Sequence, residues 1–230
     1  MENMLIINAH PKVESATSVS LRVLQHFLEA YTKWNPAGAI EQIDLYRDSI
    51  PAIDHMVLEL WSKQGREEPL NEEEQQITDR MSAILQQFKA ARKYVIVMPM
   101  HNFNIPSKLK DYIDNILIAR ETFQYTENGS EGLLTDGRSL LVIQASDAIY
   151  TNHDWYAEVE YSHKYLKSMF NFMGVMDYQI IRAQGNAILD RDQILAHAFQ
   201  EAGEAAKRLA STKPTIKINR NGRMENRMVT

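Results

Sequence analysis

Two loops in this sequence hold side chains that an ordinary chain reversal does not need. The first runs from Asn8 to Ser20, follows a short apolar run, and carries Ser15, Thr17, Ser18 and Ser20. A strand-to-helix loop rich in hydroxyls sets donors at a helix N-terminus, where backbone N–H groups and the helix dipole favour an anion. Ser18 and Ser20 flank the expected helix start and His10 stands at the strand end, a set that suits a phosphate. A plainer reading makes Ser18 an N-cap and His10 a polar loop residue. The second loop, Pro99-Met100-His101-Asn102-Phe103-Asn104-Ile105-Pro106, brings amide, imidazole and ring chemistry to a place where simple turns favour Gly, Asp, Ser and Pro.

Other chemistries lack their signatures. There is no GxGxxG and no GxxxxGK[ST], so neither a dinucleotide fingerprint nor a triphosphate loop is supported. Ser18 has no Gly-x-Ser-x-Gly elbow around it, which argues against a hydrolase. His153 and Asp154 are adjacent and no HExxH exists, so no metal is expected. The chain has no cysteine, which removes disulfides, thiolate metal sites and cysteine nucleophiles together. A formal net charge of −5 gives no support for nucleic-acid binding. No apolar run approaches the roughly 18 residues of a membrane helix, and the N-terminus lacks the pattern of a signal peptide. A cytoplasmic protein is expected.

The elements that must position the two loops alternate along the chain. Apolar runs at Met4–Asn8, Ala39–Leu45, Tyr94–Met98, Ser139–Gln144 and Asp177–Ala183 read as strands. Between and after them lie helix-period sets: Leu21, Leu24, Leu28 and Tyr31; Ile77, Met81, Ile84, Leu85 and Phe88; Leu109, Tyr112, Ile113, Ile116 and Leu117; Tyr161, Tyr165, Met169 and Met173; and Ile194 to Ala206. Asn71 with Glu74 reads as a capping box. Five strands alternating with helices predict a doubly wound parallel sheet of order 2-1-3-4-5. Such a sheet binds ligands beyond the carboxyl ends of its strands, where the order reverses between strands one and three. Both loops fall there. Residues 46–70 read as a long loop acting as lid or interface, residues 1–210 as one domain, and residues 211–230 as a polar basic tail, flexible by its composition.

Five pieces of the chain together carry a resemblance: "AHPKVESATSVS", "IPAIDHMVLELW", "PMHNFNIPSKLKDYID", "TFQYTENGSEGLLT" and "LKSMFNFMGV". In this order they resemble the FMN-dependent NAD(P)H azoreductase and quinone reductase family, a flavodoxin-like group. The resemblance implies FMN bound non-covalently, its phosphate on His10 and on Ser18-Val19-Ser20. It implies that Pro99, Met100, His101, Asn102 and Phe103 hold the flavin ring, with Ala145, Ser146, Asp147 and Ala148 beside it. It implies a substrate side built from Phe123, Tyr125, Phe172 and Trp61. The implied reaction is a two-electron, ping-pong transfer from NADH or NADPH to a quinone or azo acceptor, in a homodimer with the site at its interface. The off-stripe positions of Phe170 and Phe172 are read in the same sense. No side chain need serve as acid or base.

Three departures cluster at the same pocket. The family's Ser-x-Gly-Gly is Ala145-Ser146-Asp147-Ala148 here, a family Tyr or Trp is His101, and a family Ala-Gly is replaced at Arg120-Glu121. Loss of two glycines predicts strained or displaced backbone at Asp147 and Ala148. A non-catalytic module with a degenerate pocket, acting as a sensor or interaction protein, is the competing reading.

Overall fold

The computed structural model describes residues 3–212 of the chain. Its main sheet contains β1 (Asn3–Asn8), β2 (Ala39–Asp44), β3 (Lys93–Pro99), β6 (Ser139–Ser146) and β7 (Asp177–Gln184), all parallel. Their order is β2-β1-β3-β6-β7, the expected 2-1-3-4-5 once the strands of the sheet are numbered among themselves. A small antiparallel hairpin, β4 (Phe123–Thr126) and β5 (Gly129–Gly132), stands outside it.

The central strands are apolar throughout because both of their faces are covered. In β1, Leu5 and Ile7 join one core while Met4 and Ile6 join another. In β3, Tyr94, Ile96 and Met98 face the first core, and Val95 and Val97 the second. The period-2 side-chain alternation of a strand therefore divides each unbroken apolar run between two cores. The first core is closed by α3 (Glu72–Ala90), α4 (Ser107–Ile116) and α6 (Tyr161–Met173), the second by α1 (Val19–Trp34) and α7 (Arg191–Ser211). The edge strand β2 exposes Ala39–Gln42.

Helix starts follow their caps. Ser18 Oγ accepts the Leu21 N–H at 3.3 Å to open α1. Asn71 and Glu74 form the expected capping box, each side chain accepting the other's backbone N–H at 2.9 Å. At the opposite end of α3, Arg138 donates to the carbonyls of Lys89 and Ala91 and to the Tyr94 hydroxyl at 2.7–2.8 Å, and Tyr94 donates to Ala91 O at 3.0 Å, so that helix-end acceptors are met by a cation and a hydroxyl.

Three expectations need correction. The segment 46–70 is not all loop, since His55–Gly65 forms α2, capped by Asp54. Val57 and Leu60 bury against Met81 of α3, and Lys63 pairs with the α3 cap residue Glu74 at 2.6 Å. The buried stripe of α6 is Ser162, Leu166, Phe170 and Met173; of the expected line Met173 is buried, Tyr165 and Met169 pack partly buried against the core, and Tyr161 is exposed. Phe170 packs edge-on against Phe88 and Tyr94 in the core, so it leaves nothing over for an interface. Finally, α7 continues to Ser211, within the expected tail, while residues 213–230 of that tail lie outside the described residues.

Candidate functional site

A cleft of about 470 Å³ opens at the carboxyl ends of the strands. Its lining comes from four loops: His10, Thr17, Ser18, Val19 and Ser20 after β1; Pro99, Met100 and His101 after β3; Ala145, Ser146 and Asp147 after β6; Asn186 and Arg191 after β7. It occupies the switch point between β1 and β3, as a doubly wound sheet requires. The register explains the convergence. Asn8 pairs with Val97, Pro99 with Ala145, and Ser146 with Gln184, so all four chains leave the sheet at nearly one level. Ala9 N–H to Val97 O at 2.9 Å and Met100 N–H to Ala145 O at 2.8 Å carry the ladder into the loops.

On the first loop, the hydroxyls of Ser18 and Ser20 lie 3.2 Å apart at the α1 N-terminus, and Ser20 is fully buried. Ser18 is thus both N-cap and cleft wall. His10 accepts the Lys12 N–H on Nδ1 at 3.0 Å, which leaves Nε2 to carry the hydrogen of a neutral ring. Burial, together with nearby His101 and Lys12, pushes its pKa below the ordinary histidine value. An imidazole N–H, two hydroxyls and the first backbone N–H groups of α1 are donors that could hold an anion such as a phosphate.

The second loop is a tight hairpin. His101 and Asn104 exchange both backbone bonds at 2.9 Å, and the two residues between them have positive φ, +47° at Asn102 and +66° at Phe103. That is the signature of a type I′ turn. Asn tolerates the left-handed region; for the bulky Phe103 it is an outlier that its surroundings must enforce. The Phe103 ring packs edge-to-face on Trp155 at 5.4 Å, and the Phe103 carbonyl accepts the Ser162 N–H at 3.2 Å. Ser162 in turn belongs to a buried network. Its Oγ donates to Gln144, Gln144 donates to Glu160, and Arg182 grips Glu160 with two bonds of 2.7 and 2.9 Å. Asn102 and Phe103 do not line the cleft; Pro99, Met100 and His101 do. The unusual composition of this loop therefore builds the turn as much as the wall.

The third loop corrects the expectation of strain. None of Ala145, Ser146, Asp147 and Ala148 has positive φ. Their carbonyls are instead held by the β7–α7 loop: Asn186 donates to Ser146 O through its backbone (3.1 Å) and its side chain (2.8 Å), Ala187 N–H to Asp147 O (3.3 Å), and Gly185 N–H to Ala148 O (3.2 Å). The left-handed residue is Gly185, at φ +83°, where an added Cβ would meet Leu189 at 2.9 Å. Ala148 does not line the cleft.

The expected substrate-side residues assemble elsewhere. Phe123 packs at a tilt against Phe172, centroids 4.8 Å apart, and edge-on to Tyr125 at 5.4 Å, with Tyr125 75% exposed and Phe172 37% exposed. Trp61 lines a separate slot between α2 and α3 with Leu60, Met81 and Asn115. None of the four lines the cleft of this one chain. Sequence reasoning missed Thr17, Asn186 and Arg191. The one signal for the last was Asp190, an N-cap residue accepting the Asp192 and Gln193 N–H groups, which marks the start of α7. No cluster of metal-ligating side chains occurs among the described residues.

Residues 2–206 match the family described as having a flavodoxin-like fold. The chain is 64% identical over 212 residues to FMN-dependent NADH:quinone oxidoreductase 1 of Bacillus cereus, covering 92% of this chain and 100% of that protein. It is 46% identical over 187 residues to the protein of the same name from Lactiplantibacillus plantarum, covering 80% and 87%. Among solved structures, the FMN-dependent NADH-azoreductase of Bacillus anthracis str. Ames Ancestor, crystallised with FMN, superposes with a TM-score of 0.90 at 63% identity, over 92% of this chain and 100% of that one. The fold, the position of the cleft and these likenesses agree, and the chain belongs to the flavodoxin-like family of FMN-dependent NADH:quinone oxidoreductases.

Proposed function

We propose that the protein is an FMN-dependent NADH:quinone oxidoreductase that also reduces azo compounds. The observation that carries this is the cleft itself, a hydroxyl-lined helix N-terminus joined to an apolar wall at the switch point of the sheet. The residues present fit the cofactor. The α1 N-terminus with Ser18, Ser20 and His10 suits the phosphate, and Met100, Pro99 and Ala145 offer apolar surface to a flat ring. Bound FMN supplies a two-electron centre that NADH reduces and a quinone or azo acceptor reoxidises. The protein's part is to orient. The type I′ turn, locked by Ser162 and Trp155, fixes the wall formed by Met100 and His101, and the β7–α7 loop holds Ser146 and Asp147 at the opposite side. NADH rather than NADPH is proposed as donor because the relatives are named for it.

We further propose a homodimer in which the aromatic cluster of Phe123, Tyr125 and Phe172, with Tyr125 and Phe172 exposed and Phe123 buried, meets the cleft of the other copy. Two solvent-facing aromatic side chains, Tyr125 and Phe172, that lie outside the cleft of their own chain support this reading. A cytoplasmic location is proposed as well; none of the described helices is long and apolar enough to cross a membrane. The test is direct. Purified protein is expected to be yellow, to sediment as a dimer, and to oxidise NADH only when a quinone or azo dye is present. Colourless protein that neither takes up FMN nor turns over would favour the non-catalytic module.

A further inference from the structure

Arg191 is the one Lys or Arg among the residues lining the cleft. It is the first residue of α7, and its Nη2 donates to the carbonyl of Thr17, the residue just before the α1 N-cap. The bond joins chain segments 174 positions apart and brings the guanidinium to the mouth of the hydroxyl-rich loop. No carboxylate forms an ion pair with it among the described residues. Its neighbour Asp190 is occupied in capping α7 through the Asp192 and Gln193 N–H groups.

We propose that Arg191 is the phosphate clamp of the cleft, the residue that makes this protein select a flavin carrying a phosphate monoester over the same flavin without one. The inference rests on the FMN reading of the site. A phosphate monoester carries about −1.5 to −2 charges near neutral pH. The other groups at the α1 N-terminus are two serine hydroxyls, backbone N–H groups and the His10 imidazole, whose Nδ1 accepts the Lys12 N–H and whose pKa is lowered by burial. Asp147 adds a carboxylate to the same lining. Of the side chains lining the cleft, Arg191 is the Lys or Arg that offers compensating charge, and its planar fork keeps N–H groups beyond the one spent on Thr17. It would grip the phosphate while holding the β7–α7 loop, and hence Asn186, against the β1–α1 loop.

The test compares Arg191→Gln and Arg191→Lys with the unmodified full chain, titrating FMN and riboflavin separately by flavin fluorescence. Unmodified protein is expected to bind FMN more tightly than riboflavin. Arg191→Gln is expected to raise the FMN dissociation constant about 10- to 100-fold, as for loss of a charge-assisted bond, and to leave riboflavin within about 3-fold, the scatter of a surface change. Arg191→Lys should recover only part of the loss, since a point charge lacks the fork. Equal weakening of both flavins by either variant would mean that Arg191 merely tethers loops, and unchanged FMN affinity would mean it is idle; each result overturns the clamp. Unmodified protein that binds neither flavin would overturn the FMN reading and the clamp with it, a result distinct from the other two.

Discussion

Ser18 and Ser20 sit two residues apart, one the N-cap and one inside the first turn of α1, and the alanine variant of Ser20 separates binding from folding. Ser18 Oγ accepts the Leu21 N–H at 3.3 Å, a long N-cap bond. Losing a serine cap costs about 0.5–2 kcal/mol, and the length places this one near the low end, about 1 kcal/mol. A protein of this size shifts its melting temperature by about 2–4 °C per kcal/mol, so Ser18→Ala without ligand should melt about 2–4 °C lower. Ser20 is buried inside the first turn of α1, and its hydroxyl meets Ser18 Oγ at 3.2 Å. Alanine there gives up one hydrogen bond of about 1 kcal/mol and regains about 0.5 kcal/mol of helix propensity. Ser20→Ala should therefore melt within about 2 °C of the parent. With FMN a second loss is added to each. Each hydroxyl on a phosphate dianion is worth about 1.5–3 kcal/mol, a 10- to 100-fold change in dissociation constant. Ligand stabilisation follows RT ln(1 + [L]/Kd): at FMN 1,000 times the parental Kd it is about 4.1 kcal/mol, and after a 100-fold loss about 1.4 kcal/mol. The missing 2.7 kcal/mol or so removes about 5–11 °C from the FMN-induced shift of Ser20→Ala. The assay is a thermal melt of parent and both variants, with and without FMN. A Ser20→Ala protein that keeps the full FMN-induced shift would refute the placement of the phosphate on this loop.

Three further outcomes are expected. Glu160 is buried and holds both Arg182 and Gln144, so Glu160→Leu strands a half-buried cation and should cost about 3–5 kcal/mol in urea unfolding; Glu160→Gln, which retains an acceptor, should cost clearly less. Burial holds His163 and His10 below the ordinary histidine pKa of about 6.5, so the stability they confer is complete above that pH and is lost as pH falls below it through the folded values. Melting curves between about pH 7 and 5 should show this decline, and His163→Phe should flatten it; the carboxylates held low, such as Asp136, act only below about pH 4. At the type I′ turn, Asn102→Gly should be neutral or slightly stabilising, whereas Asn102→Val, a β-branched residue at φ +47°, should cost about 1–2 kcal/mol, read by chemical denaturation.

The sheet was legible because its signal is local. Each central strand is an unbroken apolar run, and Val95 and Val97 against Tyr94 and Ile96 show the two-faced burial that such runs encode. Alternation with helices then leaves few topologies. Helix α2 was illegible for the matching reason: Val57 and Leu60 are its buried residues, too short a stripe to register as a period, and its docking depends on Lys63 reaching a glutamate in another helix. The register of α6 failed by one position, because Tyr161 and Phe170 are equally apolar on paper. Contact with Phe88 and Tyr94, remote in the chain, decides which is buried.

The cleft divides along the same line. Residues that enter from β1 and β3 were readable, since their loops carry unusual side chains next to clear strands. Thr17, Asn186 and Arg191 are ordinary in type, and acquire their positions from hydrogen bonds between distant segments, Asn186 to Ser146 O and Arg191 of α7 to Thr17 O of the β1–α1 loop. The loop after β6 shows why substitution at a family position does not by itself predict damage. Glycines there would free the backbone for positive φ, but this chain needs none at 145–148, because Gly185 takes the left-handed residue and the β7–α7 loop holds the carbonyls of Ser146, Asp147 and Ala148. Left-handed backbone has not vanished from the site. It resides in Gly185 and in the Asn102–Phe103 turn, where Trp155 and Ser162 enforce it. Exchanging Asp147 and Ala148 for glycine would then relieve no strain, and would only add freedom to the unfolded chain, lowering stability by about 0.5–1 kcal/mol per residue.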